Sequence, residues 1–212
     1  MGGVWFVIGV GVGLGFSKRR RGRGSQPLVF DDFNRPDNAL SLGTAKTGQS
    51  WIVEGEGGVY GIQDNRLYLS ESGTVTEPTA TINSGISDCV ISAEFYGGPE
   101  YTGGNPSSGI CFRQTDNLNL FRFYPDNLHF RMARVVAGVV TVMGSNNAIA
   151  PINNQILRVV LSGQSIKCYV GDLLVFDVTH NFNQTTTKHG LYSRNRVVTA
   201  RWDNFRVEVL PS

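Results

Sequence analysis

Helical spacing is what this sequence lacks most. Apolar residues recurring every three or four positions are hard to find along its 212 residues, which argues against helical and mixed α/β classes. Cysteine is scarce: Cys89, Cys111 and Cys168 stand alone in strand-like runs, with no C-x-x-C pair and no metal spacing. Their odd number excludes a full disulfide framework, and buried free thiols are expected. Catalytic signatures are missing too. There is no G-x-S-x-G, and His129, His180 and His189 have no recognisable serine or cysteine partner motif. Basic charge is thin outside one run. Lys18, Arg19, Arg20, Arg21 and Arg23 hold five of the 19 basic residues, leaving 14 against 17 acidic ones. A weakly acidic body behind a basic leash argues against specific nucleic-acid binding, which spreads basic residues over a folded face.

What is present is β-type sequence. Glycine is abundant at 26 residues, and Val, Thr, Phe and Tyr recur in short runs bounded by Gly and Asp-Asn turns. The stretch A-R-W-D-N-F-R-V-E-V at Ala200–Val209 alternates Phe205, Val207 and Val209 with Asn204, Arg206 and Glu208, the period of a half-buried strand. L-V-F-D-D-F-N at Leu28–Asn34 has a similar aromatic-flanked acidic centre, and the two are expected to lie side by side. About a dozen short strands between them predict an all-β fold, a jelly-roll β-sandwich of two antiparallel sheets spanning residues 28–212. Val135–Met143 continues the β-type pattern. Trp51 and Trp202 are expected in or at the edge of the core.

Ahead of the sandwich, residues 1–16 are apolar and glycine-rich, and residues 17–27 read as a flexible basic linker. Residues 2–16 carry no charge and six glycines. As a helix they would span about 22 Å, short of a bilayer core of roughly 30 Å. The basic residues follow the apolar run instead of preceding it, unlike a secretory signal. No Lys-Ser/Thr follows the glycines, so they form no phosphate loop. An arm docking into a larger assembly is the first expectation, and a membrane-inserting or anchoring segment the second.

The order D-D-F-N-R-P-D, then T-G-Q-S-W and N-R-L-Y-L, with H-G-L-Y and W-D-N-F-R-V near the end, resembles concanavalin A-like lectin/glucanase (laminin-G-like) jelly rolls over residues 28–210. The opening is similar to domains of bacteriophage minor tail and other virion proteins. The resemblance implies a non-enzymatic virion protein whose residues 1–24 contact other virion proteins, whose sandwich binds a host-surface glycan, and which forms homo-oligomers. The alternative is a membrane-tethered carbohydrate-binding module of the bacterial envelope. Laminarinase-type relatives carry E-x-D-x-x-E, placing two carboxylates for retaining hydrolysis; that motif is absent here, so no catalytic residue is expected. Glucanase relatives hold structural calcium near their paired termini, and Asp31, Asp32 and Asp203 match those positions. The other reading of these aspartates is that they hydrogen-bond turns at the strand ends.

Strand parity suggests a binding face. If Ile110, Phe112, Phe121, Phe123, Phe130 and Met132 point inward, then Arg113, Arg122, Tyr124, His129 and Arg131 share the outer face, with Tyr101 and Asn105 on a loop at its rim. Arginine forks and aromatic rings suit an anionic or hydroxyl-rich glycan. An ordinary solvated sheet face, or one covered by a partner subunit, is the competing reading.

Overall fold

The computed structural model describes residues 1–2, 26–71, 77–97, 107–126, 128–194 and 200–211. Residues 3–25, which hold the apolar arm and most of the basic linker, lie outside the described residues.

Fifteen strands follow one another in the described chain. They are β1 (Val29–Asp31), β2 (Ile52–Glu54), β3 (Val59–Gln63), β4 (Arg66–Glu71) and β5 (Thr79–Asn83). Next come β6 (Cys89–Tyr96), β7 (Ser108–Asp116), β8 (Asn119–Asp126), β9 (His129–Val136) and β10 (Val139–Asn146). The last are β11 (Gln155–Ser162), β12 (Ser165–Val170), β13 (Leu173–Thr179), β14 (Lys188–Ser193) and β15 (Arg201–Glu208). Every pairing is antiparallel. The first sheet runs β13-β12-β11-β6-β15-β4-β3, with β1 also on β15; the second runs β10-β9-β8-β7-β14-β5-β2.

The two sheets pack face to face as a sandwich, because alternation gives each strand one apolar side. In β6, Cys89, Ile91, Ala93 and Phe95 are buried while Val90, Ser92, Glu94 and Tyr96 are half-exposed. Phe112, Phe121, Phe123, Phe130 and Met132 answer from the second sheet, and the core also takes in Trp51 and Trp202. The first and last strands do pair, with Val29 opposite Val207 and Asp31 opposite Phe205. All three cysteines are free and buried.

Two local features depart from the sequence pattern. Ala137 and Gly138 take φ of 48° and 79° and turn the chain back, so the β-type stretch Val135–Met143 spans the hairpin of β9 and β10. Asn119 Oδ1 accepts from the Ala137 amide and holds that turn. In β7 the register slips between Phe112 and Asp116, and Arg113 has φ of 49°. This is a β-bulge, which adds a residue and breaks parity.

Candidate functional site

The outward side of the second sheet gathers the polar and aromatic groups that parity marks out, with one exception. Opposite residues in an antiparallel ladder share a face. Arg122 is opposite Cys111 and Ala133, Tyr124 is opposite Arg131, and Asp126 is opposite His129. Arg122, Tyr124, His129 and Arg131 therefore lie on one face, as expected. Arg113 does not. The bulge turns it between the sheets, where its guanidinium donates to the carbonyls of Gly163 and His180, the latter at 3.1 Å. It is fully buried and ties β7 to the first sheet. Tyr101 and Asn105 lie outside the described residues.

The structure adds groups to this face that the sequence reading passed over. Glu77 pairs with Arg122 and, at 3.4 Å, with Arg194. The Arg122 guanidinium carbon sits 4.5 Å from the Tyr192 ring centroid, and Tyr124 meets that ring edge-on at 5.4 Å. Arg131 pairs with Asp126 at 2.8 Å. Glu54 accepts from Lys188 and from Gln114, both at 2.5 Å, and Gln114 also donates to Thr79 at 2.9 Å. Tyr192 was within reach of parity, since Leu191 beside it is core. Glu77 was not, because it joins Arg122 across strands that are distant in sequence.

Charge on this face is largely paired, while hydrogen-bonding capacity is not exhausted. Among the described residues, Thr81 Oγ1, Gln114 Oε1, Arg122 Nε, Arg131 Nε and His129 Nδ1 are buried atoms without a partner. Burial lowers the pKa of Arg122, with the neighbouring tyrosines opposing the shift. Burial, followed by Asp126, raises that of Tyr124. Between them runs an apolar strip, Cys111, Leu120, Ala133 and Val135. A cleft of about 220 Å³ opens here between Arg122 and Glu77 on one side and Val135, Val140 and Leu118 on the other.

The candidate calcium ligands form no metal-holding group among the described residues. Asp31 is fully buried: Oδ1 accepts from the Phe33 amide and Arg35 Nη1, and Oδ2 from Arg35 Nη2 and Trp51 Nε1. Those four donors occupy the acceptor positions of its carboxylate, so Asp31 is corrected from metal ligand to core hydrogen-bond centre. Asp32 pairs with Lys46 at 2.9 Å. Asp203 is opposite Glu94 in the first sheet, and its pKa is raised by burial and then by Glu94 and Asp32. No three His, Cys, Asp or Glu side chains are grouped to hold a metal among the described residues.

One buried pair looks like a nucleophile and base but cannot act as one. His189 Nε2 is 3.6 Å from Cys89 Sγ and 3.2 Å from the Ile86 carbonyl, while Nδ1 accepts from the Arg113 amide. Burial pushes the Cys89 thiol up to about 12 and His189 down to about 4. At neutral pH both are uncharged and out of reach of substrate, so the pair is packing.

These elements define a jelly-roll β-sandwich of two antiparallel sheets. No family model matches the chain, and no curated protein sequence matches it. Solved structures do share the fold. A carbohydrate-binding module, CBM66 of Bacillus subtilis, superposes with a TM-score of 0.50 at 16% identity, over 86% of this chain and 96% of that one. The β-glucanase of Bacillus licheniformis gives 0.53 at 13% identity, over 85% and 97%. The GH43 protein BlXynB of Bacillus licheniformis gives 0.56 at 16% identity, over 85% of this chain and 39% of that one.

Proposed function

We propose that this chain is a non-catalytic glycan-binding module that reads neutral, hydroxyl-rich sugars on the outward face of its second sheet. The observation that carries this reading is the pairing itself. Arg122 with Glu77, Arg131 with Asp126, and Lys188 with Glu54 cancel charge and hold donors and acceptors side by side. A sugar hydroxyl both donates and accepts, so an alternating array suits it better than it suits a bare anion. Tyr124 and Tyr192, both buried, back this array with aromatic rings. Each of these carboxylates has a cationic partner, which is a poor setting for the protonated acid of a glycosidase pair. Carbohydrate-binding modules and glycoside hydrolases among the structural neighbours support a glycan ligand at the level of class.

The finer placement of this module on a phage particle, through residues 1–24, draws its support from the D-D-F-N-R-P-D opening. Deleting residues 2–24 abolishes incorporation into particles on this reading, and normal incorporation overturns it.

The test of the glycan role is an array of neutral and acidic glycans probed with the full chain, beside Arg131→Ala and Tyr124→Ala. Binding of neutral glycans, weakened tenfold or more by each substitution, is expected, a change of about 1.4 kcal/mol. Binding confined to acidic glycans sinks the neutral assignment, and no binding by a folded chain sinks the module.

A further inference from the structure

A sheet ends in strands whose outer amides and carbonyls are free, and proteins guard such edges with charge, proline, short length or a covering segment. Three of the four terminal strands here are guarded. In the first sheet, the backbone of Asn38 pairs with Ile62 of β3, and Ser70 Oγ donates to the Ala39 carbonyl at 2.5 Å, so residues 38–39 cover that edge. At the other end β13 carries Asp177, paired with Lys167 at 3.5 Å. In the second sheet, β2 has only three residues and ends on Glu54. The additional strand β1 is flanked by Thr47, which accepts from the Phe30 amide, and by Gln49, which donates to the Leu28 carbonyl.

The fourth edge, β10, has none of these among the described residues. It is eight residues long, V-V-T-V-M-G-S-N, with no charge and no proline. A register shift follows Val142, and beyond it Gly144 approaches the Phe176 ring too closely to carry a Cβ. What remains open is Val139–Val142, four β-branched residues that are all exposed, with Val139 at 68% and Val142 at 48%.

We propose that this open edge pairs with the same edge of a second copy, antiparallel about a two-fold axis through Thr141. Because opposite residues in such a ladder share a face, Val140 meets Val142 of the other copy on the outward side, and Thr141 meets itself on the inward side. Both are favourable cross-strand pairs, and no like charges are brought together. The outward valines continue the strip of Val135 and Ala133, which are their own ladder partners. An edge strand of another protein would satisfy the same backbone groups. A second copy is favoured because V-V-T-V is uncharged and self-complementary, whereas the charges that would select a different partner are missing.

The two-fold axis leaves both outward faces on the same side of one continuous sheet. Resting on the glycan reading, this makes a two-site binder whose avidity for a repeating glycan exceeds that of either site. The interface itself, four residues a side, falls in the weak class, so the dimer is concentration-dependent.

Sedimentation of the full chain across a concentration series is the first arm of the test, with Val142→Lys beside it. Reversible dimerisation that Val142→Lys reduces at least tenfold is expected, with an unchanged melting curve. The second arm is Thr141→Cys under mild oxidation. Opposite Cα atoms in a ladder lie about 4.5–5.5 Å apart, within disulfide range, so this variant cross-links to itself. The three native cysteines are buried and do not compete. Thr179→Cys, exposed on β13, is the control. A monomer at every concentration, an oligomer that Val142→Lys leaves intact, or equal cross-linking of both cysteine variants overturns the proposal. Loss of dimer with retained glycan binding, and the converse, separate this inference from the glycan reading.

Discussion

A carboxylate has about four acceptor positions, and at Asp31 all of them are filled by Arg35, Trp51 and the Phe33 amide. Removing that side chain strands a guanidinium and an indole N–H. Asp31→Ala is therefore expected to cost about 3 kcal/mol or more in urea unfolding, while added calcium leaves the wild-type midpoint unchanged. His189 makes a second residue-scale prediction. Its folded pKa, about 4, lies below the ordinary 6.5 because of burial. The unfolded chain therefore takes up the proton first as pH falls. Stability from this group is whole above pH 6.5 and declines towards pH 4, by about 3 kcal/mol in total. Melting across that window should be flatter for His189→Gln, and the His189 ring resonances should stay neutral at pH 5.5.

Among the elements, β7 meets β8, and β14 meets β5, where a side chain is forbidden. A Cβ on Gly109 would stand 2.2 Å from the Phe123 carbonyl oxygen, and one on Gly190 2.0 Å from that of Ala80. Neither obstacle is a side chain that can rotate away. Gly109→Ala and Gly190→Ala are each expected to lose about 3 kcal/mol or more, read as a lower melting midpoint or loss of soluble protein. The bulge at Arg113 works at the same scale. Its extra residue sends the guanidinium inward to Gly163 and His180, so Arg113→Ala should loosen the β11–β12 turn as well as lower stability. Hydrogen exchange at Gly163 and Gln164 reports that loosening directly.

For the whole molecule, two sheets with different outward faces matter most. The first presents arginines stacked on aromatics, such as Arg201 on Tyr68 and Arg66 on Tyr96, each at under 5 Å. The second carries the paired charges, the cleft and the open β10 edge. The proposed glycan binding and the proposed self-association thus fall on one sheet. A repeating glycan is expected to bind the wild type at least tenfold more tightly than Val142→Lys, while a single sugar unit binds both alike; isothermal titration with the two ligands measures this.

Period-two alternation made the sandwich legible in the sequence, because a strand with one buried face must repeat every second residue. The pairing of the first and last strands, the burial of Trp51 and Trp202, and the shared face of Arg122, Tyr124, His129 and Arg131 all follow from that rule. The rule fails where backbone geometry inserts a residue. At Arg113 the bulge cancels parity, and at Ala137-Gly138 a tight turn splits a run with no Asn-Gly or Asp-Gly mark. Partners were also out of reach: Glu77 joins Arg122, and Trp51 and Arg35 take the oxygens of Asp31. Sequence determined which side each regular strand buries, since that depends on neighbours two positions away. Tertiary structure decided which charges meet and which edge stays open, since those depend on strands far apart in the chain.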